Sequence, residues 1–144
     1  SPLFASKGNI VTKMNTYLKD SGQEELTDDG EILKCAYDSL VLTFRLAYEQ
    51  MCQSVGKDFD TVYIMGGGIR DTYLCQLAAN AMNKKIVTGP VDGTALGNVA
   101  LQLCKDNLSE IKDIIVNSVE TKTYIPENTE IWDKAYEDYK KIIK

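Results

Sequence analysis

The sequence contains no histidine, only three prolines and a single tryptophan among its 144 residues. Without histidine the chain cannot supply Ser-His or Cys-His catalysis or an imidazole metal ligand. Any chemistry that it carries must use carboxylates, lysines or backbone groups. No apolar run approaches the roughly 20 residues that cross a bilayer, so the sequence predicts no membrane association.

Basic clusters are also missing, and the formal net charge is −5. Nucleic acids and anionic membranes need a basic surface, so we expect neither as a partner. The hydrophobic fraction of 44% and the charged fraction of 26% are those of an ordinary globular protein. This length predicts one domain with a single core.

The four cysteines are scattered along the chain without C-x-x-C spacing (Cys35, Cys52, Cys75 and Cys104). This pattern is typical of reduced core thiols in the cytoplasm rather than of a disulfide framework or a zinc site. We therefore expect all four thiols to be buried and the protein to be cytoplasmic.

One long helix is clearly marked. Asp28 followed by Glu31 has the spacing of a capping box, and Gly56 stands where a left-handed residue ends a helix. Between them, apolar residues recur at three- and four-residue steps: Leu33, Tyr37, Leu40, Val41, Phe44, Tyr48 and Met51. So wide an apolar face predicts burial on more than one side.

The middle of the chain predicts a βαβ unit. Residues 61–65 form a short β-branched run, residues 71–82 fit a helix, and residues 85–88 fit a second strand. Such units join parallel strands. Further helices are predicted over residues 8–18, 94–104, 108–117 and 131–143. Two strands make a poor sheet, so we expect neighbouring strands to come from sequence outside this chain.

The turn Gly66-Gly67-Gly68 follows the first strand and precedes a helix. Without Cβ atoms, a base, ribose or phosphate can approach the free N–H groups at the helix start closely. The turn therefore predicts nucleotide binding, although glycines that serve only a tight turn remain an alternative. A dinucleotide fingerprint is disfavoured because Asp71 stands where that motif needs Gly or Ala.

A second motif, GPVDGTALGN, covers residues 89–98. Asp92 is placed to cap the helix that follows, and this role is favoured over that of a catalytic acid. Ala95 and Gly97 predict close backbone packing on that helix.

Several segments in order resemble the C-terminal region of rhamnulokinases, in the FGGY carbohydrate-kinase family. They are VYIMGGGIRDTYLCQ (residues 62–76), residues 78–82 and IVTGPVDGTALGNVALQ (residues 86–102), with GEILKCAYDSLVLTFRLAY (residues 30–48) upstream. The similarity continues over residues 124–139. It covers nearly the whole chain.

The resemblance implies a helix-rich α/β fold, part of a ribonuclease-H-like or actin-like domain that closes over ATP opposite a sugar-binding domain. Residues 1–144 would be the C-terminal part of the kinase's C-terminal domain. In such kinases the second glycine, here Gly67, lies against the nucleotide, and Gly66 and Gly68 shape the turn. Asp71 stands near the adenine where the family usually has Asn, and a carboxylate cannot donate to the base.

The activity so implied is Mg²⁺-assisted transfer of the ATP γ-phosphate to a ketose, with L-rhamnulose giving the 1-phosphate. No residue here matches the family's sugar site or catalytic base, so this chain alone should be inactive. A xylulose-, fucose- or glycerol-type kinase and a stand-alone nucleotide-binding or assembly module remain alternatives. We also expect exposed apolar surface that favours self-association.

Overall fold

The computed structural model describes residues 2–105 and 107–143 as a helix-rich fold with one small sheet. The helices are α1 (Pro2–Ala5), α2 (Ile10–Asp20), α3 (Asp29–Val55), α4 (Thr72–Met82), α5 (Gly93–Cys104), α6 (Leu108–Ser118) and α7 (Thr129–Ile142). The strands are β1 (Thr61–Ile64), β2 (Lys85–Thr88) and β3 (Thr123–Tyr124). The predicted fold class is confirmed.

The ends of α3 follow from its local sequence. The carboxylate of Asp28 accepts hydrogen bonds from the backbone N–H groups of Gly30 and Glu31, at 2.9 and 3.1 Å. Gly56 ends the helix at φ 69°, a left-handed conformation that glycine adopts without steric cost. Both predicted helix ends are confirmed.

The sheet has the strand order β1-β2-β3. β1 and β2 are parallel, with Val62 opposite Ile86, and α4 connects them, as predicted. β3 pairs antiparallel with β2. Sequence analysis did not predict β3, because two residues are too short to show a period. β1 stands at one edge of the sheet.

The core lies where α3 and α4 pack on the sheet. Its fully buried members include Val41 of α3, Ala78 of α4 and Ile86 of β2. The predicted burial of Leu33, Leu40 and Met51 was wrong, since they are 59%, 42% and 45% exposed. The helical period puts the three on one face of α3, where Met51 lines an open groove beside β1.

A polar group ties the loop before β1 to the turn before β2. The Tyr48 hydroxyl, at the edge of the core, lies 2.6 Å from a carboxylate oxygen of Asp58, to which it donates, and it accepts from the Phe59 N–H. The second carboxylate oxygen of Asp58 pairs with Lys84 at 2.6 Å. These bonds hold the pKa of Asp58 at about 2, with Lys84 as the largest cause. The group fixes the amino ends of the two parallel strands.

Helix α7 is fastened to α3 and α4 around Arg45. The guanidinium of Arg45 donates to the Ala81 carbonyl at 3.0 Å and pairs with Asp133 of α7 at 2.7 Å. It also lies 4.4 Å from the ring centroid of Tyr136. The Tyr136 ring is buried, and its hydroxyl donates to Glu49 at 2.9 Å. Hydrophobic and charge-assisted contacts therefore converge on one point of α7.

The thiols of Cys75 and Cys104 are buried, whereas those of Cys35 and Cys52 are only half-buried. The prediction of burial was therefore correct for two of the four cysteines. Over residues 2–105 and 107–143, none of the helices combines the length and the apolarity that a bilayer crossing requires.

Candidate functional site

The loops that follow β1 and β2 lie side by side at the carboxyl edge of the sheet. The Gly66 N–H donates to the Pro90 carbonyl at 3.0 Å, and the Gly89 N–H donates to the Ile64 carbonyl at 2.8 Å. Because each loop both donates to and accepts from the other, the two predicted motifs form one surface. A Cβ atom at Gly89 would lie 2.6 Å from Cγ of Met65, so glycine is needed there for packing.

The triglycine turn does not enter α4 directly, as was expected from the sequence. Residues Gly67–Arg70 form a 3₁₀ turn, and α4 begins only after Asp71. The turn is closed by two long backbone bonds, Ile69 N–H to the Gly66 carbonyl and Asp71 N–H to the Gly68 carbonyl, each 3.2 Å. Gly66 has φ 94°, a value that only glycine adopts readily.

Unlike Gly66 and Gly89, Gly67 and Gly68 are not required to be glycine by their backbone conformation or by packing within this chain. Neither has a positive φ, both are exposed, and a Cβ added to either meets no atom within 4 Å. The described part of the chain therefore has room for a side chain at both positions. The open space in front of these two glycines fits a flat ligand that contacts the main chain.

Asp71 lies at the end of this turn and caps α4. One carboxylate oxygen accepts from the Leu74 N–H at 2.9 Å, and the other accepts from the Tyr37 hydroxyl of α3. The bond from Tyr37 is the largest cause that lowers the pKa of Asp71, and the same bond raises the pKa of Tyr37. Sequence analysis missed Tyr37, because no local signal links residues 34 positions apart.

The predicted capping role of Asp92 was wrong. Asp92 precedes α5, but its side chain accepts no bond from the helix start. Its backbone, at φ −114° and ψ 60°, is outside the extended conformation from which a cap residue reaches the second or third N–H. Gly97 also lacks the predicted close packing, since a Cβ there meets nothing within 4 Å.

A cleft of about 870 Å³ opens beside the triglycine turn. Gly66 and Met65 form one wall and the start of α5 with Asp92, Thr94 and Asn98 forms the other. Within the described residues, no three His, Cys, Asp or Glu side chains come together as a metal site would require. Its lining is mostly apolar, and of the four residues predicted to bind the nucleotide only Gly66 belongs to it.

Comparison with known proteins identifies the family. Residues 5–105 match the C-terminal domain of the FGGY family of carbohydrate kinases. A rhamnulokinase of Bacteroides thetaiotaomicron is 30% identical over 145 aligned residues, which cover 98% of this chain and 30% of that protein. A rhamnulokinase of Halalkalibacterium halodurans is 28% identical over 133 residues, which cover 90% of this chain and 28% of that protein.

The chain thus spans less than a third of the length of these two relatives. The family match includes the triglycine turn, Asp71, Tyr37 and both loops at the carboxyl edge. It covers more than two thirds of the 144 residues. The chain therefore belongs to the FGGY family of carbohydrate kinases.

Proposed function

We propose that this chain supplies the adenosine-binding wall of an ATP-dependent sugar kinase, through Gly66, Gly67, Gly68 and Asp71. The observation that carries the proposal is the open, exposed backbone at Gly67 and Gly68, where the chain's own packing does not call for glycine. A ligand that lies against the main chain would explain why both positions are glycine, since any side chain there would block its approach. Ligands of parallel α/β sheets bind at this carboxyl edge of the strands.

The reaction proposed for the whole enzyme is transfer of the ATP γ-phosphate to a sugar hydroxyl. Such transfer depends on positioning and on electrostatic stabilisation of the transferring group. Mg²⁺ is held largely by the substrate phosphates with one or two carboxylates, so a cluster of three carboxylates is not needed for it. We propose that the sugar site and the catalytic base lie outside residues 1–144.

We further propose that residues 1–144 form the C-terminal part of the kinase's C-terminal domain. The unpaired edge of β1 supports this assignment, because an exposed parallel strand normally has neighbours and covered faces. An open groove of about 680 Å³ lies between β1 and α3. It is lined largely by apolar residues, including Phe44, Met51, Val55, Val62, Tyr63 and Met65.

The proposed sugar is L-rhamnulose, with L-rhamnulose 1-phosphate as the product. The names of the two relatives support this choice over xylulose, fucose or glycerol, as do the segments GPVDGTALGN (residues 89–98) and GEILKCAYDSL (residues 30–40). Turnover of each compound by the full-length protein tests it, with ADP release as the readout. A higher kcat/KM for one of the other three would exclude the rhamnulose assignment.

Gly67→Val in the full-length enzyme tests the nucleotide wall. We expect the KM for ATP to rise about tenfold or more, equivalent to about 1.4 kcal/mol of lost binding, because the added methyls occupy the ligand's place. The melting temperature should stay nearly unchanged, since the space is open. Gly97→Ala is the matched control: it adds a Cβ at another open glycine, outside the turn, and should leave the KM for ATP unchanged. An unchanged KM in Gly67→Val would show that the triplet is only a turn.

A stand-alone nucleotide-binding or assembly module is the competing function. In that case a separate partner protein would cover the exposed groove beside β1. The reading frame upstream of Ser1 separates the two. A second actin-like half encoded there supports the kinase. A natural start codon at this position supports the module.

A further inference from the structure

We infer that Tyr37 is a positioning residue for the triglycine turn: its hydroxyl holds the Asp71 carboxylate at the end of the turn, and so sets nucleotide affinity. This inference rests on the proposed function of the turn. Tyr37 is on α3, outside both motifs at the carboxyl edge.

The turn is held at both ends, and the Cys75 thiol of α4 lies 4.0 Å from the Ile69 carbonyl. At the amino end, the Gly66 N–H is bonded to the Pro90 carbonyl. Its middle consists of exposed glycines without side chains, and a Cβ at either would meet nothing within 4 Å. At the carboxyl end, Asp71 binds the Leu74 N–H and the Tyr37 hydroxyl. The conformation of the middle therefore depends on how firmly these two ends are held.

Of the two bonds to the Asp71 carboxylate, only the one from Tyr37 comes from another element. The bond from Leu74 is the capping bond within α4 and moves with that helix. Tyr37 stands one helical turn before Val41, which is fully buried in the core. The bond therefore ties the end of the turn to the helix that carries this part of the core.

The ring of Tyr37 is also held in place. It meets the ring of Tyr73, in the first turn of α4, edge to face, with centroids 5.6 Å apart. The hydroxyl thus reaches Asp71 from a half-buried ring that also contacts α4. A bond from a hydroxyl to an ionised carboxylate is among the stronger hydrogen bonds in proteins, and the lowered pKa of Asp71 agrees with that ionisation.

The decisive variant is Tyr37→Phe in the full-length kinase, which removes the hydroxyl and keeps the ring. We expect the KM for ATP to rise about fivefold, the effect of a typical lost hydrogen bond. The KM for the sugar and kcat at saturating ATP should change less than twofold. Tyr139→Phe is the matched control. Its hydroxyl is hydrogen-bonded to Thr43 of α3, the helix that also carries Tyr37, but away from the turn. It should leave the KM for ATP unchanged.

Two further variants separate positioning from general stability. Asp71→Asn can rebuild both bonds, since an amide oxygen accepts from Leu74 and an amide N–H donates to the Tyr37 oxygen. Because both bonds are rebuilt, Tyr37→Phe added to Asp71→Asn should raise the KM for ATP further. Asp71→Ala removes both bonds, so Tyr37→Phe added to Asp71→Ala should cause no further rise in the KM for ATP.

An unchanged KM for ATP in Tyr37→Phe overturns the inference. So does an equal fall in kcat and in affinity for both substrates with a lower melting temperature, because that pattern is a loss of fold. Gly67→Val distinguishes this failure from failure of the proposed function. If Gly67→Val weakens ATP binding and Tyr37→Phe does not, only the role of Tyr37 is wrong.

Discussion

The two sides of α3 differ in how fully this chain covers them. On the side that faces α7, Thr43, Arg45 and Glu49 are hydrogen-bonded to Tyr139, Asp133 and Tyr136, and the ring of Tyr136 is buried. On the side that faces β1, Met51, Val55, Tyr63 and Met65 are 45%, 61%, 67% and 63% exposed. The first side is held by hydrogen bonds and one buried ring, and the second is apolar and open.

This difference separates the contacts that stabilise the 144-residue chain by itself from an apolar surface that stabilises it only when a second surface covers it. Paired polar groups contribute specificity within one fold. An exposed apolar groove contributes little until something covers it. Under the proposed function, that cover is the remainder of the kinase. Substitutions on the first side should therefore destabilise the 144-residue chain itself. Substitutions on the second side should destabilise the fold only when the rest of the protein is present.

The largest effect is expected from Tyr136→Ala, on the side of α3 that faces α7. Removing a fully buried aromatic ring costs about 3–5 kcal/mol. The variant also removes the donor to one carboxylate oxygen of Glu49, while the other oxygen still accepts from Arg45 at 3.1 Å. Urea unfolding of the 144-residue chain, followed by the fluorescence of Trp132, measures the loss. Tyr136→Phe keeps the ring and should cost only about 1 kcal/mol. Equal losses in the two variants would contradict a packing role for the ring.

A smaller effect is expected from protonation of Asp58 at low pH, because its carboxylate ties the loop before β1 to Lys84 and Tyr48. The pKa of Asp58 is lowered to about 2 in the folded chain, against about 3.9 in an unfolded chain. The stabilisation is therefore present above pH 4 and is lost as the pH falls from 4 to 2. Unfolding midpoints over this range should fall less steeply for Asp58→Asn than for the unchanged chain. Parallel curves would show that the pair with Lys84 does not stabilise the fold.

The smallest effect on stability is expected from Tyr63→Ser on the open side. Because Tyr63 is 67% exposed, the free energy of unfolding of this chain should change by less than about 0.5 kcal/mol. Self-association, measured by sedimentation, should weaken. Under the proposed function the remainder of the kinase buries this ring, so in the full-length protein the same change should cost more than about 1 kcal/mol. A large loss in the 144-residue chain would show that this side is already covered.

The sequence predicted the elements whose signals are local. Asp28 and Gly56 mark the ends of α3 by side-chain capping and by a left-handed backbone, and both act within four residues. The βαβ unit was predicted from the β-branched residues of its two strands. The glycines at the carboxyl edge were located in the same way.

What sequence analysis missed depends on contacts between distant residues. Tyr37 looked like one more core aromatic in an apolar stripe, and only the packing of α3 on α4 brings its hydroxyl to Asp71. Asp92 has the residue type and position of a cap, but its backbone conformation, set by the tie between the two loops, prevents it from acting as one. β3 exists because β2 offers a free edge.

The paired hydrogen bonds between the two loops at the carboxyl edge have a consequence for motion. Because Gly66 bonds Pro90 and Gly89 bonds Ile64, neither loop can swing without breaking a bond to the other. Under the proposed function, the nucleotide wall must then move as a rigid body when the kinase closes, and the hinge must lie elsewhere. Spectroscopic labels placed on Arg70 and Asp92 should keep a constant separation while ATP binds.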